Sequence, residues 1–144
     1  MGAELVFLEG AARDPALEAG WREFGGSRSL DAWMALARQL MDTAWGRRCW
    51  RKPALVDENG AVQASLSLYD LPYRLDGRRI RLGGIGSFIV REDLRRHRLG
   101  RFVLKSIHDR LREEGFDGAL LFSSIGEDYY ARQGYVPLPL LAAV

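Results

Sequence analysis

The sequence predicts a single mixed α/β domain, with a mostly antiparallel central sheet flanked by helices. Three observations lead there. Residues 50–90 hold three strand-like runs separated by turn signals, the pattern of an antiparallel meander. Helical periodicity precedes and follows them. A wholly apolar run, residues 119–122, then comes after a helix, as a buried strand in parallel pairing does. The 144 residues are one domain's worth of chain, and 47% hydrophobic with 28% charged is the balance of a packed core rather than of a disordered segment.

Residues 3–8 read as the first strand. Residues 13–24 place Leu17, Trp21 and Phe24 at helical spacing, and Gly25-Gly26-Ser27 stops that helix. Ser29 caps the next one, with Asp31 in its first turn, where the helix dipole favours an anion. Leu30, Trp33, Met34, Ala37, Leu40, Met41, Ala44 and Trp45 follow the helical rule without interruption, so one amphipathic helix is expected, ending near Gly46. Residues 50–56 are strand-like and end in the turn Asp57-Glu58-Asn59-Gly60. In residues 61–69, Val62, Ala64, Leu66 and Leu68 share one face, and Asp70-Leu71-Pro72 is expected to break the strand. After the Asp76-Gly77 turn, residues 78–90 read as a long strand, bent at Gly83-Gly84. Residues 99–114 are helical, with Leu99, Val103, Leu104, Ile107 and Leu111 on one side and Gly115 as the stop. Residues 119–122 form the short apolar strand and residues 129–133 a short helix closed by Gly134. Residues 135–141 read as a last strand or a loop, because Pro137 and Pro139 demote them. The expected order is β-α-α-β-β-β-α-β-α-β.

Composition narrows the function. No apolar run reaches the ~20 residues of a membrane span, and the first ten residues carry Glu4 and Glu9 but no basic n-region, unlike a secretory leader. Cys49 is the one cysteine, so no internal disulfide forms and a cytoplasmic location is expected. Two histidines and one cysteine leave too few ligands for a structural zinc, and no metal is expected. The net charge of +2 does not by itself argue for a nucleic-acid partner. The basic residues are 19 Arg and 2 Lys, and Arg brings forked donors wherever an anion is held.

The stretch that carries chemistry runs from Ser87 to Phe102. An alternating strand ends at Val90, a short basic loop follows, and a helix starts near Leu99. Helix starts leave backbone N–H groups unpaired at the positive end of the dipole, and Arg95, Arg96, Arg98 and Arg101 surround this one. The chemistry fits a phosphate or pyrophosphate site; the plain alternative is a solvated basic turn. Gly83-Gly84-Ile85-Gly86 lacks the third glycine and the helix of a dinucleotide fingerprint.

Arg95-Arg96-His97-Arg98-Leu99-Gly100 resembles the acetyl-CoA loop of the GNAT superfamily of N-acetyltransferases, Arg/Gln-x-x-Gly-x-Gly/Ala, matching at Arg95 and Gly100. Tyr129-Tyr130-Ala131-Arg132-Gln133-Gly134-Tyr135 resembles the family's aromatic-Tyr-x-x-x-Gly-aromatic helix, and Leu121-Phe-Ser-Ser-Ile-Gly before it is similar to a subgroup segment. Both motifs stand in the family's order, and the resemblance spans residues 3–140. It implies a GNAT-type sheet with a splayed parallel strand pair, acetyl-CoA as co-substrate, and transfer of acetyl to a primary amine, small molecule or peptide, by direct attack. It implies that backbone groups of Phe88, Ile89 and Val90 pair with the pantetheine arm. Arg95, Arg96, Arg98, Leu99, Gly100 and Arg101 would cradle the pyrophosphate, and Ser124 would touch the arm. Tyr130 is implied as the acid that protonates the leaving thiolate, or as a packed ring that hydrogen-bonds the sulfur.

Two departures stand out. Arg98 occupies the place of the loop's first glycine, where its guanidinium adds a phosphate contact or its bulk blocks the groove. Ten residues follow Gly134, where the family has two strands; the last strand is absent, supplied by a second copy in a homodimer, or part of a longer gene product. No general base is visible: residues 81–90 hold no carboxylate, and Asp70, Glu127, Asp128 and His108 are loose candidates with ready structural roles. His97 is a candidate phosphate contact, Cys49 buried filler or an activated thiol. Trp21 or Phe24 would line the acceptor site or pack the core, under residues 25–29 as a lid. A non-catalytic acyl-CoA-binding protein and an Arg-rich nucleic-acid binder using residues 91–112 are the rival readings.

Overall fold

A computed structural model describes residues 2–123 and 125–139. In chain order it contains β1 (Glu4–Leu8), α1 (Asp14–Phe24), α2 (Leu30–Met41), α3 (Ala44–Cys49), β2 (Trp50–Val56), β3 (Val62–Leu75), β4 (Arg78–Val90), α4 (Leu99–Glu113), β5 (Gly118–Leu121) and α5 (Glu127–Ala131). The five strands form one sheet in sequence order. The first three pairs are antiparallel, and β4–β5 is parallel. The mixed, mostly antiparallel architecture read from the sequence is the observed one.

The chain departs from that reading in four places. The expected helix of residues 30–45 is two helices. Thr43 ends the first by donating its hydroxyl to Leu40 O at 2.7 Å and starts the second by accepting from Gly46 N–H at 2.9 Å. Gly46 ends no helix; it lets α3 fold back, because a Cβ there would stand 2.1 Å from Leu40 O. Asp70-Leu71-Pro72 does not break β3, which runs on to Leu75. Beyond Tyr69, the partner of Trp50, β3 has β4 on one side only, and a prolyl nitrogen is tolerated at such an edge. The irregularity of β4 lies at Ser87 rather than at Gly83-Gly84. Between Ser65 and Ser67 β3 advances two residues while β4 spans three, Gly86 to Ile89, and Ser87 takes φ 46°. Residues 135–139 carry no strand, and the rest of the expected last strand lies outside the described residues.

The core has two parts. Leu55, Leu66, Leu68 and Ile85 of the sheet pack against Val103, Leu104, Ile107 and Leu111 of α4, with Tyr130 from α5. On the other side, Leu17 of α1 meets Met34, Ala37 and Met41 of α2, with Trp33 and Trp50 alongside. Each fully buried Leu or Ile contributes about 1.5–3 kcal/mol by leaving water. The layers are therefore α1–α2, sheet, α4. The wall between β4 and α4 is close: a Cβ on Gly83 would meet Leu111 at 2.6 Å.

Candidate active site

β4 and β5 pair only from Leu82–Gly118 to Ile85–Leu121. β5 then ends, while β4 continues through the Ser87 bulge to Val90. A parallel pair that parts in this way leaves a gap with free backbone on one side. The gap opens into a cleft of about 860 Å³ walled by β4, the start of α4, α5 and the end of α1. Its size is that of a ligand site.

The backbone of β4 is divided between its neighbours. Arg91 N–H reaches Gln63 O at 2.9 Å and Ile89 stands opposite Ser65, so Ile89 gives its backbone groups to β3. By alternation Phe88 and Val90 turn theirs toward the cleft. The Val90 carbonyl is already taken: Arg95 Nε donates to it at 3.0 Å, and the same guanidinium is paired with Glu23 at the end of α1. Arg95 thus bridges loop, strand and first helix at the edge of the cleft it lines.

The helix start is built as the sequence implied, with one surprise. Arg98 is the N-cap of α4 at φ 58°, ψ 13°, in the left-handed region where glycine is at ease. The bulky residue holds a backbone that suits glycine, the residue the resembling loop has at this place. The first α4 bond runs from Phe102 N–H to Arg98 O at 3.2 Å, which leaves the earlier N–H groups without a backbone acceptor among the described residues. Arg96, Arg98, Arg101 and Arg132 line the cleft, and none has a carboxylate partner among the described residues. Leu99 packs into the core and offers only its main chain. Gly100 is needed for contact: a Cβ there would lie 2.6 Å from the Tyr129 hydroxyl and near Phe88 and Val90.

α5 carries Glu127 and Asp128 in its first turn, where they face the positive end of the dipole. Gly134, at φ 92°, turns the chain back so that Tyr135 N–H bonds Tyr130 O at 3.1 Å. Tyr130 is 8% exposed and edge-on to Tyr129 and Tyr135. It lines the cleft, and its hydroxyl has no hydrogen-bond partner among the described residues. Burial raises the pKa of Tyr129.

The remaining candidates fall elsewhere. His108 Nε2 lies 2.7 Å from the Tyr135 hydroxyl, and burial followed by the Arg112 charge lowers its pKa; it braces α4 against the chain after α5. Asp70 is held by both Nε and an Nη of Arg81. Phe24 lines the cleft, whereas Trp21 does not; its indole N–H closes the 25–28 turn on Arg28 O at 2.8 Å. Cys49 is half-buried at the end of α3, His97 is exposed beside the loop, and Ser124 lies outside the described residues. Glu23, Tyr129 and Arg132 line the cleft although no sequence signal singled out a role for them.

Sheet order, the parting of β4 from β5 at a bulge, and a helix start facing the gap together define the GNAT acetyltransferase fold. Known structures agree. An acetyltransferase from Trypanosoma brucei superposes with a TM-score of 0.75 at 19% identity, over 99% of both chains. Glucosamine-6-phosphate N-acetyltransferase from Arabidopsis thaliana gives 0.71 at 16% identity, over 100% of this chain and 98% of that one. Ribosomal-protein-alanine N-acetyltransferase from Brucella melitensis biovar Abortus 2308 gives 0.70 at 18%, over 98% and 97%. No protein-family model and no curated protein sequence matches the chain.

Proposed function

We propose that this protein is an N-acetyltransferase that moves an acetyl group from acetyl-CoA to a primary amine. The observation that carries the reading is the gap beside Phe88–Val90, which opens at one end onto the start of α4 and four arginines that have no carboxylate partner among the described residues. The residues present fit a diphosphate-bearing thioester. Free N–H groups and the guanidiniums of Arg96, Arg98 and Arg101 would hold the diphosphate. The outward backbone of Phe88, and that of Val90 once Arg95 yields its carbonyl, would receive the amide-bearing arm.

Bound there, acetyl-CoA supplies an activated acyl carbon and a thiolate leaving group. The bulge at Ser87 leaves main-chain groups outside the β3 ladder, and a donor so placed stabilises developing negative charge on a carbonyl oxygen. Tyr130 lines the cleft, its phenol without a hydrogen-bond partner among the described residues, and would give its proton to sulfur. The end of α1, with Glu23 and Phe24, walls the side from which an amine would come.

Thiol release from acetyl-CoA, followed with a panel of primary amines, tests this directly. Amine-dependent release supports the enzyme. Coenzyme A binding without release supports a non-catalytic acyl-CoA-binding protein, and affinity for nucleic acid with indifference to coenzyme A would replace both.

A further inference from the structure

β4 offers no carboxylate between residues 81 and 90, and on the face turned from α4 two of its residues before the bulge carry no side chain, between Leu82 and Ile89. Gly84 and Gly86 stand there. A Cβ on Gly84 would meet Leu71 at 2.6 Å, and one on Gly86 would meet the Tyr69 ring at 3.3 Å and its hydroxyl at 3.9 Å. The strand is thus covered from β3, and the covering group that carries a proton is Tyr69. Its ring is held in place by Trp45 and Trp50, with centroids 6.1 and 5.4 Å away. Its hydroxyl end lies over the residue next to the Ser87 bulge.

Behind it runs a polar line. Ser67 is the register partner of Gly86, and its hydroxyl lies 3.3 Å from Lys52 Nζ. Lys52 is 2% exposed, and burial alone lowers its pKa, to about 8. The charged groups of the elements around it are committed elsewhere. On α1, Asp14, Glu18 and Glu23 are paired with Arg38, Arg22 and Arg95; on β3, Asp70 is paired with Arg81. Arg47 and Arg48 on α3 are exposed, beside the half-buried Cys49, and Glu4 of β1 sits at the far end of its strand, opposite Val56. Ser67 is also the hydroxyl that counters the burial-raised pKa of Tyr69. Ser65 Oγ and Trp50 Nε1, buried nearby, lack any partner among the described residues. An apolar layer would be more stable here, so the retained polar groups point to use.

We infer that Tyr69 is a catalytic residue that takes the proton of the attacking amine and relays it through Ser67 to Lys52. The inference rests on the acetyl-transfer reading above. The nitrogen–carbon bond forms as the amine yields one proton to the Tyr69 oxygen. The Tyr69 proton moves to Ser67, and that of Ser67 to the neutral Lys52 amine, which becomes ammonium. The carbon–sulfur bond breaks, Tyr130 protonates the thiolate, and after product leaves the Lys52 proton retraces Ser67 and Tyr69 to the cleft, where Tyr130 is reprotonated. Tyr69 acts on the amine; Ser67 and Lys52 are positioning residues.

The test measures thiol release from acetyl-CoA with spermidine, glucosamine 6-phosphate and a peptide with a free N-terminus, from pH 6 to 10. Wild type, Lys52→Met and Tyr69→Phe are compared, with acetyl-CoA affinity measured in parallel. Tyr69→Phe keeps the stacked ring and Lys52→Met keeps the stem, so both retain the packing. The expected result is a wild-type kcat/KM that rises with a midpoint near pH 8, a midpoint lost in Lys52→Met, at least ten-fold lower turnover in both variants, and unchanged acetyl-CoA affinity. A profile for Lys52→Met that keeps the wild-type midpoint, or wild-type turnover in Tyr69→Phe, overturns the inference alone. No thiol release from wild type with any amine overturns the acetyl-transfer reading, and the relay with it.

Discussion

Arg98 holds a left-handed backbone that its side chain disfavours by about 1 kcal/mol. Arg98→Gly is therefore expected to keep or raise stability, by up to about 1 kcal/mol once glycine's extra unfolded-state freedom is discounted. Thermal denaturation reads the change; a loss of more than 1 kcal/mol would mean that the guanidinium holds the loop. Tyr130 is the second residue on which the account depends. Tyr130→Phe keeps the buried ring and removes the hydroxyl, so turnover should fall ten-fold or more with acetyl-CoA binding nearly unchanged. Equal rates in steady-state assays would remove the acid role. Both residues are legible in the sequence, because short motifs fix Arg98 before a helix and Tyr130 within one. The clasp of Glu23 on Arg95 is not: the pair is 72 residues apart, and only the docking of α1 beside the loop brings them together.

At the scale of elements, local chemistry overrode periodicity. The apolar rhythm runs through residues 30–45 because α2 turns Met34, Ala37 and Met41 toward Leu17 of α1, while α3 sets Trp45 against Tyr69. What separates them is one threonine hydroxyl that serves both helix ends, and a glycine that admits the contact. Gly46→Ala would set a Cβ 2.1 Å from a backbone oxygen that cannot swing away. A loss of about 3 kcal/mol or more is expected in denaturant unfolding, a magnitude reserved for such backbone collisions. A loss under 1 kcal/mol would contradict the packing described. Pro72 misleads for a related reason: whether a strand has one neighbour or two is a property of the sheet, and a linear reading of Asp70-Leu71-Pro72 cannot supply it. The Ser87 bulge is equally hidden, since no residue in Gly86-Ser87-Phe88 marks a positive φ away from glycine.

The whole molecule sets the buried amine of Lys52, on β2, in the same sheet as the cleft edge of β4, with β3 between them. Lys52 carries a stability consequence whatever its role. Its folded pKa, about 8, lies below the ordinary 10.5. The folded state thus binds fewer protons in that window, and stability falls as pH falls from 10.5 toward 8, by about 3 kcal/mol in all, and stays lowered below it. Lys52→Met should therefore stabilise the protein by about 2–3 kcal/mol at pH 7 and by much less near pH 10.5, as read by melts across pH. Equal effects at both pH values would show that the amine is not desolvated. The meander, the flanking helices and the α4 start were readable from pattern and motif; the burial of Lys52 was not, because Trp50 to Val56 reads as strand-like without showing which face lies under helices.

The claim on which the rest depends is that the parted strands and the start of α4 hold a diphosphate thioester carrier. Calorimetric titration of the wild-type protein with coenzyme A addresses it without reference to any acceptor. One site per chain is expected, with an affinity that weakens as salt rises because guanidinium–phosphate contacts are screened. Absence of binding heat across temperatures would contradict the account at its centre.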